Sequence, residues 1–122
     1  MDLEDLEIYQ IALKISDLAR EIYQTLPREF RFTIGQQFLE ASDSPGANIA
    51  EGFGRFHYRD SLKFYYNSRA SLYEAIYWTG RLQKRNLILP DHLQKMQQYT
   101  AEEKIKLNKF IQSLKSVSES TT

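Results

Sequence analysis

Cysteine is absent from this 122-residue chain. That excludes disulfides and thiol chemistry and fits a reducing compartment, the bacterial or archaeal cytoplasm. Histidine is nearly as scarce. His57 and His92 are the two copies, and the one neighbour at ligand-like spacing is Asp60, three residues after His57, which is too little for a metal site. Ser61 and Ser71 have no base close by in sequence, so no nucleophile–base pair is legible. Gly52-Phe53-Gly54 is too short to cradle a phosphate and follows no strand. No apolar run reaches the roughly 18 residues of a membrane span. The acidic opening, Met1-Asp2-Leu3-Glu4-Asp5, is the reverse of a secretory or transit leader. These absences predict no catalytic residue, no metal, no cofactor and no membrane partner.

An excess of one charge sign is also lacking. Sixteen Lys/Arg offset sixteen Asp/Glu, which excludes a domain-wide basic footprint for nucleic acid. The balance is uneven along the chain. Residues 1–50 hold four basic against nine acidic side chains, net −5; residues 51–85 hold seven against three, net +4; the remainder is +1. A local basic patch and head-to-tail attraction between subunits both account for this.

What is present is helical periodicity, with no β-type alternation, internal repeat or low-complexity tract. Ile8, Ile11, Ile15, Leu18, Ala19 and Ile22 line one face of a first helix, from about Leu3 to Thr25. Leu6, Tyr9 and Leu13 make a second strip on its far side, and Pro27 ends it. A second helix starts at a Thr33 cap and runs through Gln37 towards Glu51. Pro45-Gly46 inside it predicts a kink or break near Asp43–Gly46, since an interior proline costs about 3 kcal/mol. Gly52 and Gly54 are expected to end it through positive backbone dihedrals.

The third helix, from Tyr58 or Arg59 to Arg85, is the richest in aromatics. Leu62, Tyr65, Tyr66, Leu72, Tyr73, Ile76 and Tyr77 are read as its bundle face, with Phe64, Ser71, Ala75, Trp78 and Leu82 almost opposite. Two opposed stripes predict a helix covered on both sides. Pro90 opens a fourth helix to about Val117, with Leu93, Met96, Thr100, Leu107, Ile111 and Leu114 inward. The expected architecture is all-α: an antiparallel up-down-up-down four-helix bundle over residues 1–117, with a polar, disordered tail at 118–122.

Gln37, Ala41, Ser44, Asn48 and Glu51 share one side of the second helix, just before Gly52. Polar groups there need partners, since an unpaired buried one costs roughly 1–3 kcal/mol. A helix-end network, a subunit contact and a small-ligand site all remain open for them. Asn48-Ile49-Ala50-Glu51-Gly52-Phe53-Gly54-Arg55, with Asp43-Ser44 before it, the Arg55-Phe56-His57-Tyr58 run, and Ser71-Leu72-Tyr73-Glu74 one helix later, form a specific combination. It resembles the bacterial four helix bundle protein family, also called the ribosomal-RNA intervening-sequence proteins. The resemblance implies an antiparallel four-helix bundle assembled as a homopentamer, with no enzyme activity. A similar bundle is the accessory protein of diversity-generating retroelements, a basic pentamer associated with nucleic acid and reverse transcriptase. The chain departs from the family in having Leu39-Glu40 where an Arg is usual and Pro45 where Ile is usual.

Two functions are therefore expected. The first is a non-enzymatic, ring-forming scaffold or binding protein whose partner is itself, with Phe64, Ser71, Ala75, Trp78 and Leu82 as the candidate oligomer interface. Ordinary contact with a neighbouring helix is the other reading of those residues. The second function is an accessory factor for RNA or single-stranded DNA. Its candidate contacts are Arg55, His57, Tyr58, Arg59, Lys63, Arg69, Arg81 and Arg85, with Lys84 beside them. A solvated face with weak ion pairs is the competing account of these charges.

Overall fold

A computed structural model describes residues 1–55 and 57–120, the last by its backbone alone. Phe56, within one of the motif runs above, and Thr121 and Thr122 of the expected tail lie outside the described residues. A 3-10 turn, Leu3–Asp5, leads into α1 (Glu7–Thr25). A single turn, α2 (Arg28–Arg31), precedes α3 (Ile34–Phe53), α4 (Tyr58–Lys84) and α5 (Pro90–Ser120). The four long helices close a circuit: α1 on α3, α3 on α4, α4 on α5 and α5 back on α1.

Rising residue numbers on one helix meet falling numbers on the next. Ala12 lies beside Gly46 and Tyr23 beside Gly35; Ser44 meets Ser71 and Gly52 meets Tyr65. Tyr65 meets Phe110 and Tyr73 meets Lys104; Glu7 pairs with Lys106 and Glu21 approaches His92. Adjacent helices therefore run in opposite senses, as short connections demand.

The periodic face of α1 is buried as expected: Ile8, Ile11, Ile15, Leu18, Ala19 and Ile22 all lie in the core. Leu26 sits at the C-cap in an extended conformation imposed by Pro27. Arg31 closes the corner, donating from Nε to Leu26 O (3.1 Å) and from Nη2 to Gln24 O (3.0 Å). These bonds occupy carbonyls that the helix end leaves without partners. Thr33 holds the N-cap position of α3, but its hydroxyl turns back to Phe30 O rather than capping α3.

Three local expectations on α3 and α5 are corrected. The break that was one expected outcome at Pro45 does not occur, since helix α3 is continuous from Ile34 to Phe53. Pro45 is fully buried and its carbonyl accepts from Ser68 Oγ of α4 at 2.9 Å, so packing offsets the lost backbone donor. Neither Gly52 nor Gly54 has positive φ. Gly52 matters for space instead: a Cβ there would stand 3.1 Å from the Tyr65 ring and 3.2 Å from Phe64 Cβ. Helix α5 continues past Val117 to Ser120, since Ser118-Glu119-Ser120 contains no helix breaker.

The positive φ lies at Asn86 (58°), where α4 ends. Leu87 N donates to Leu82 O and Asn86 N to Gln83 O, the pairing of a Schellman motif. Leu87 and Leu82 accompany it by packing in the same hydrophobic cluster.

Candidate binding face

The inward stripe of α4 differs from the one its hydrophobicity suggests. Ser61, Tyr65, Ser68, Leu72, Ala75, Thr79 and Leu82 face the core. On α3 the buried residues include the small Ala41, Ser42, Pro45 and Gly52 beside Ile34, Phe38 and Ile49, while Gly46 faces Ala12 of α1. Around Ser68 and Pro45 the seam is small against small. Ser68 reaches the Pro45 carbonyl with a side chain one carbon long, which requires the two backbones to lie close. Tyr65 is accommodated where Gly52 leaves room for its ring, whereas Tyr66, Tyr73 and Tyr77 turn out.

The expected pair of opposed stripes on α4 is partly overturned: Tyr65 and Leu72 of the expected bundle face are buried and Leu62 and Ile76 pack against the core, but Tyr66, Tyr73 and Tyr77 are exposed. Ala75 and Leu82, placed by their sequence spacing on the outer stripe, are 0% exposed within the single chain. Ser71 is half-buried and shares a hydrogen bond with Ser44 Oγ (2.8 Å). Phe64 is half-buried under Arg55 and Lys63, whose cationic heads lie 4.6 and 5.2 Å from its ring centroid. Trp78 is half-buried against the core cluster containing Leu82, edge-on to Tyr77 at 4.9 Å. Two of the five are therefore buried within the single chain, and three are half-buried.

What emerges instead is a row of tyrosines. Tyr66, Tyr73 and Tyr77, assigned by periodicity to the core, are 38, 45 and 56% exposed. Spaced by seven and four, they follow one face of α4. Two carry a cation against the ring: Arg69 over Tyr66 (5.2 Å) and Lys104 of α5 over Tyr73 (5.6 Å). Between α4 and α5 lies a groove of about 470 Å³ lined by Tyr66, Arg69, Asn108, Ile111, Gln112 and Lys115. Arg69 Nη1 donates to Asn108 Oδ1 at 3.2 Å and so bridges the groove. The lining holds two cations and no carboxylate.

The polar motif divides. Asn48 Nδ2 donates to Ser44 O (3.1 Å) and Ser44 Oγ (3.0 Å), and Ser44 joins Ser71, so these three stitch α3 to α4. Ala41 is buried beside them, whereas Gln37 and Glu51 are exposed. Glu51 pairs with Arg55 at 2.6 Å. The motif is an interhelical tie near mid-helix rather than a network at the helix end.

The basic candidates do not converge on one patch. Arg55, His57, Tyr58, Arg59 and Lys63 gather where α4 begins, whereas Arg81, Lys84 and Arg85 lie at its other end. At 1.5 Å per residue that separation is roughly 35 Å. Arg69 sits between them, in the groove.

Reading residues 55–85 alone misses the α5 wall: Lys104, Asn108, Gln112 and Lys115. It also misses Glu103. That carboxyl lies between Thr100 and Leu107 on the inward stripe of α5, is 0% exposed, and neither oxygen has a hydrogen-bond partner. Burial first, then the nearby Glu102 and Glu7 carboxylates, push its pKa up to about 8. Glu103 is therefore largely uncharged at neutral pH, and the α4–α5 side is more basic than its formal count. The legible signal was the register, because a glutamate stands where the stripe calls for an apolar residue. Burial likewise lifts the Tyr65 phenol to about 12, so it stays neutral.

Among the described residues no group of three His, Cys, Asp or Glu side chains can hold a metal ion, and no helix is long and apolar enough to cross a membrane. A family model described as 23S rRNA-intervening sequence protein matches residues 4–119. The fold is similar to the crystal structure of a protein of unknown function from the S23 ribosomal protein family of Bacteroides thetaiotaomicron. The TM-score is 0.79 at 21% sequence identity, over 86% of this chain and 95% of that one. No curated protein matches the chain.

Proposed function

Because the chain belongs to the 23S rRNA-intervening sequence protein family, we propose that it is a self-assembling helical-bundle protein that binds or scaffolds and performs no catalysis. The observation that carries this reading is the row Tyr66, Tyr73 and Tyr77, three large rings left at the surface of one helix. Tyrosine is enriched where proteins meet, because it buries a large area while its hydroxyl keeps a polar partner. A homopentamer in the cytoplasm is the assembly the family resemblance favours.

Light scattering of the full chain at micromolar concentration tests it. A mass of several times 14.4 kDa is expected, and a monomer would remove the reading.

A second reading is favoured by the carboxylate-free groove between α4 and α5. Cations flanking exposed rings suit single-stranded nucleic acid, where bases stack and phosphates pair. It predicts binding of a single-stranded RNA oligonucleotide that weakens steeply as salt rises. Binding unaffected by Arg69→Glu with Lys115→Glu would dismiss it.

A further inference from the structure

The tie at Ser44, Asn48 and Ser71 accounts for only the first half of the sequence motif. Of its second half, Gly52, Phe53, Arg55 and Tyr58 surround a cavity of about 350 Å³ where α3 ends and α4 begins. Leu6, ahead of α1, and Phe110 and Leu114 of α5 form an apolar side to it. Small-molecule sites run from about 300 to 1,000 Å³ and pair a mostly apolar wall with a few polar groups. This cavity has both properties.

Tyr65 is its most informative member. The residue is 3% exposed, lines the cavity and packs edge-on to Phe110 at 4.8 Å. Its ring tip lies against Gly52, where a Cβ would stand 3.1 Å from Tyr65 Cζ. Yet the hydroxyl makes no hydrogen bond among the described residues. Burying a hydroxyl without a partner is costly, so a group that fills the cavity and accepts from it would be held there. Burial pushes the phenol up to about 12, and it therefore keeps its proton and acts as a donor.

Charge at the cavity has one sign. The lining contains Arg55 and no carboxylate. Arg55 gives Nη2 to Glu51 Oε1, which leaves its Nε and Nη1 donors for another acceptor. Tyr58 is the first residue of the 27-residue α4, so the positive end of that helix dipole lies at the same place. Asp60, in the same turn, is exposed and forms no part of the wall. The polar features favour a negative head, and the opposite side favours hydrocarbon.

We propose that this cavity binds a small amphipathic carboxylate. A short aliphatic body lies against Leu6, Phe110 and Leu114, and the single carboxylate accepts from the Tyr65 hydroxyl and the Arg55 guanidinium. The site uses neither the tyrosine row nor the α4–α5 groove, so it goes beyond both readings above and depends on neither.

Calorimetric titration of the full chain with octanoate tests it. Octanol supplies the body without the charge, and acetate the charge without the body. Octanoate is expected to saturate a single site below ~10 mM, with octanol at least ~10-fold weaker and acetate not saturating. Tyr65→Phe removes the hydroxyl alone. It is expected to weaken octanoate by ~5–10-fold and to leave octanol unaffected. Its denaturation midpoint should not fall, because the hydroxyl has no partner within the chain to lose. Arg55→Gln is expected to cost octanoate ~10-fold, and Leu114→Trp, which fills the cavity, to abolish binding of both probes with helical circular dichroism unchanged. No saturable octanoate binding, equal affinity for octanoate and octanol, or octanoate affinity unchanged in Tyr65→Phe or Arg55→Gln would each overturn the proposal.

Discussion

At the scale of single residues, burial and charge in the core decide most. Glu103 is an ionisable group in the position of a leucine, and its folded pKa of about 8 lies above its ordinary 4.5. Between those values the folded chain holds a proton that the unfolded chain has released. Its contribution to stability is therefore fully present below about pH 4.5, declines as pH rises, and is lost above about pH 8. Denaturant titrations at pH 5, 7 and 9 should show that slope in the wild type and a flatter one in Glu103→Gln. The gap should grow to several kcal/mol at the alkaline end, at about 1.4 kcal/mol per pKa unit. The Ser44–Ser71 hydrogen bond is a smaller matter. Alanine at each and at both should give a coupling of about 1 kcal/mol, the ordinary worth of such a bond.

At the scale of elements, the α3–α4 seam sets the orientation of everything outside it. Ala75 is fully buried on that seam, so Ala75→Leu has no space to enter. It is expected to destabilise by about 1–3 kcal/mol or more, read as a lowered denaturation midpoint. Helix α4 stops because Asn86 tolerates positive φ and allows the chain to reverse. Asn86→Ala should cost about 1 kcal/mol, whereas Asn86→Gly should cost nothing or add stability. Helix boundaries were largely readable from the sequence: Pro27 ends α1, Pro90 opens α5, and Tyr58 begins α4. Pro45 was misleading, since helix propensity is local and its burial against Ser68 is not.

At the scale of the whole molecule, charge is unevenly placed: residues up to Phe53 carry net −6 and the remainder net +6. If copies bind one another, the unfolding temperature must rise with protein concentration, because association stabilises the folded state by mass action. Calorimetry across a hundredfold range of concentration should show that rise at low salt and a smaller one at high salt. This distribution was only half legible beforehand. The uneven charge was visible as blocks along the chain, but which blocks share a side depends on the helix circuit.

Composition and periodicity alone settled that this chain is an all-helical bundle whose first helix turns an isoleucine-rich face to the core. Those properties follow from local backbone chemistry and from the spacing of apolar side chains. Which face of α4 turns inward was decided by packing. A search for hydrophobic residues chooses the tyrosines, whereas close approach of two backbones chooses serine and alanine. The same packing buried Ala75 and Leu82 of the expected interface, left Phe64, Ser71 and Trp78 half-buried, and put three phenol rings, lysines and a groove at the surface.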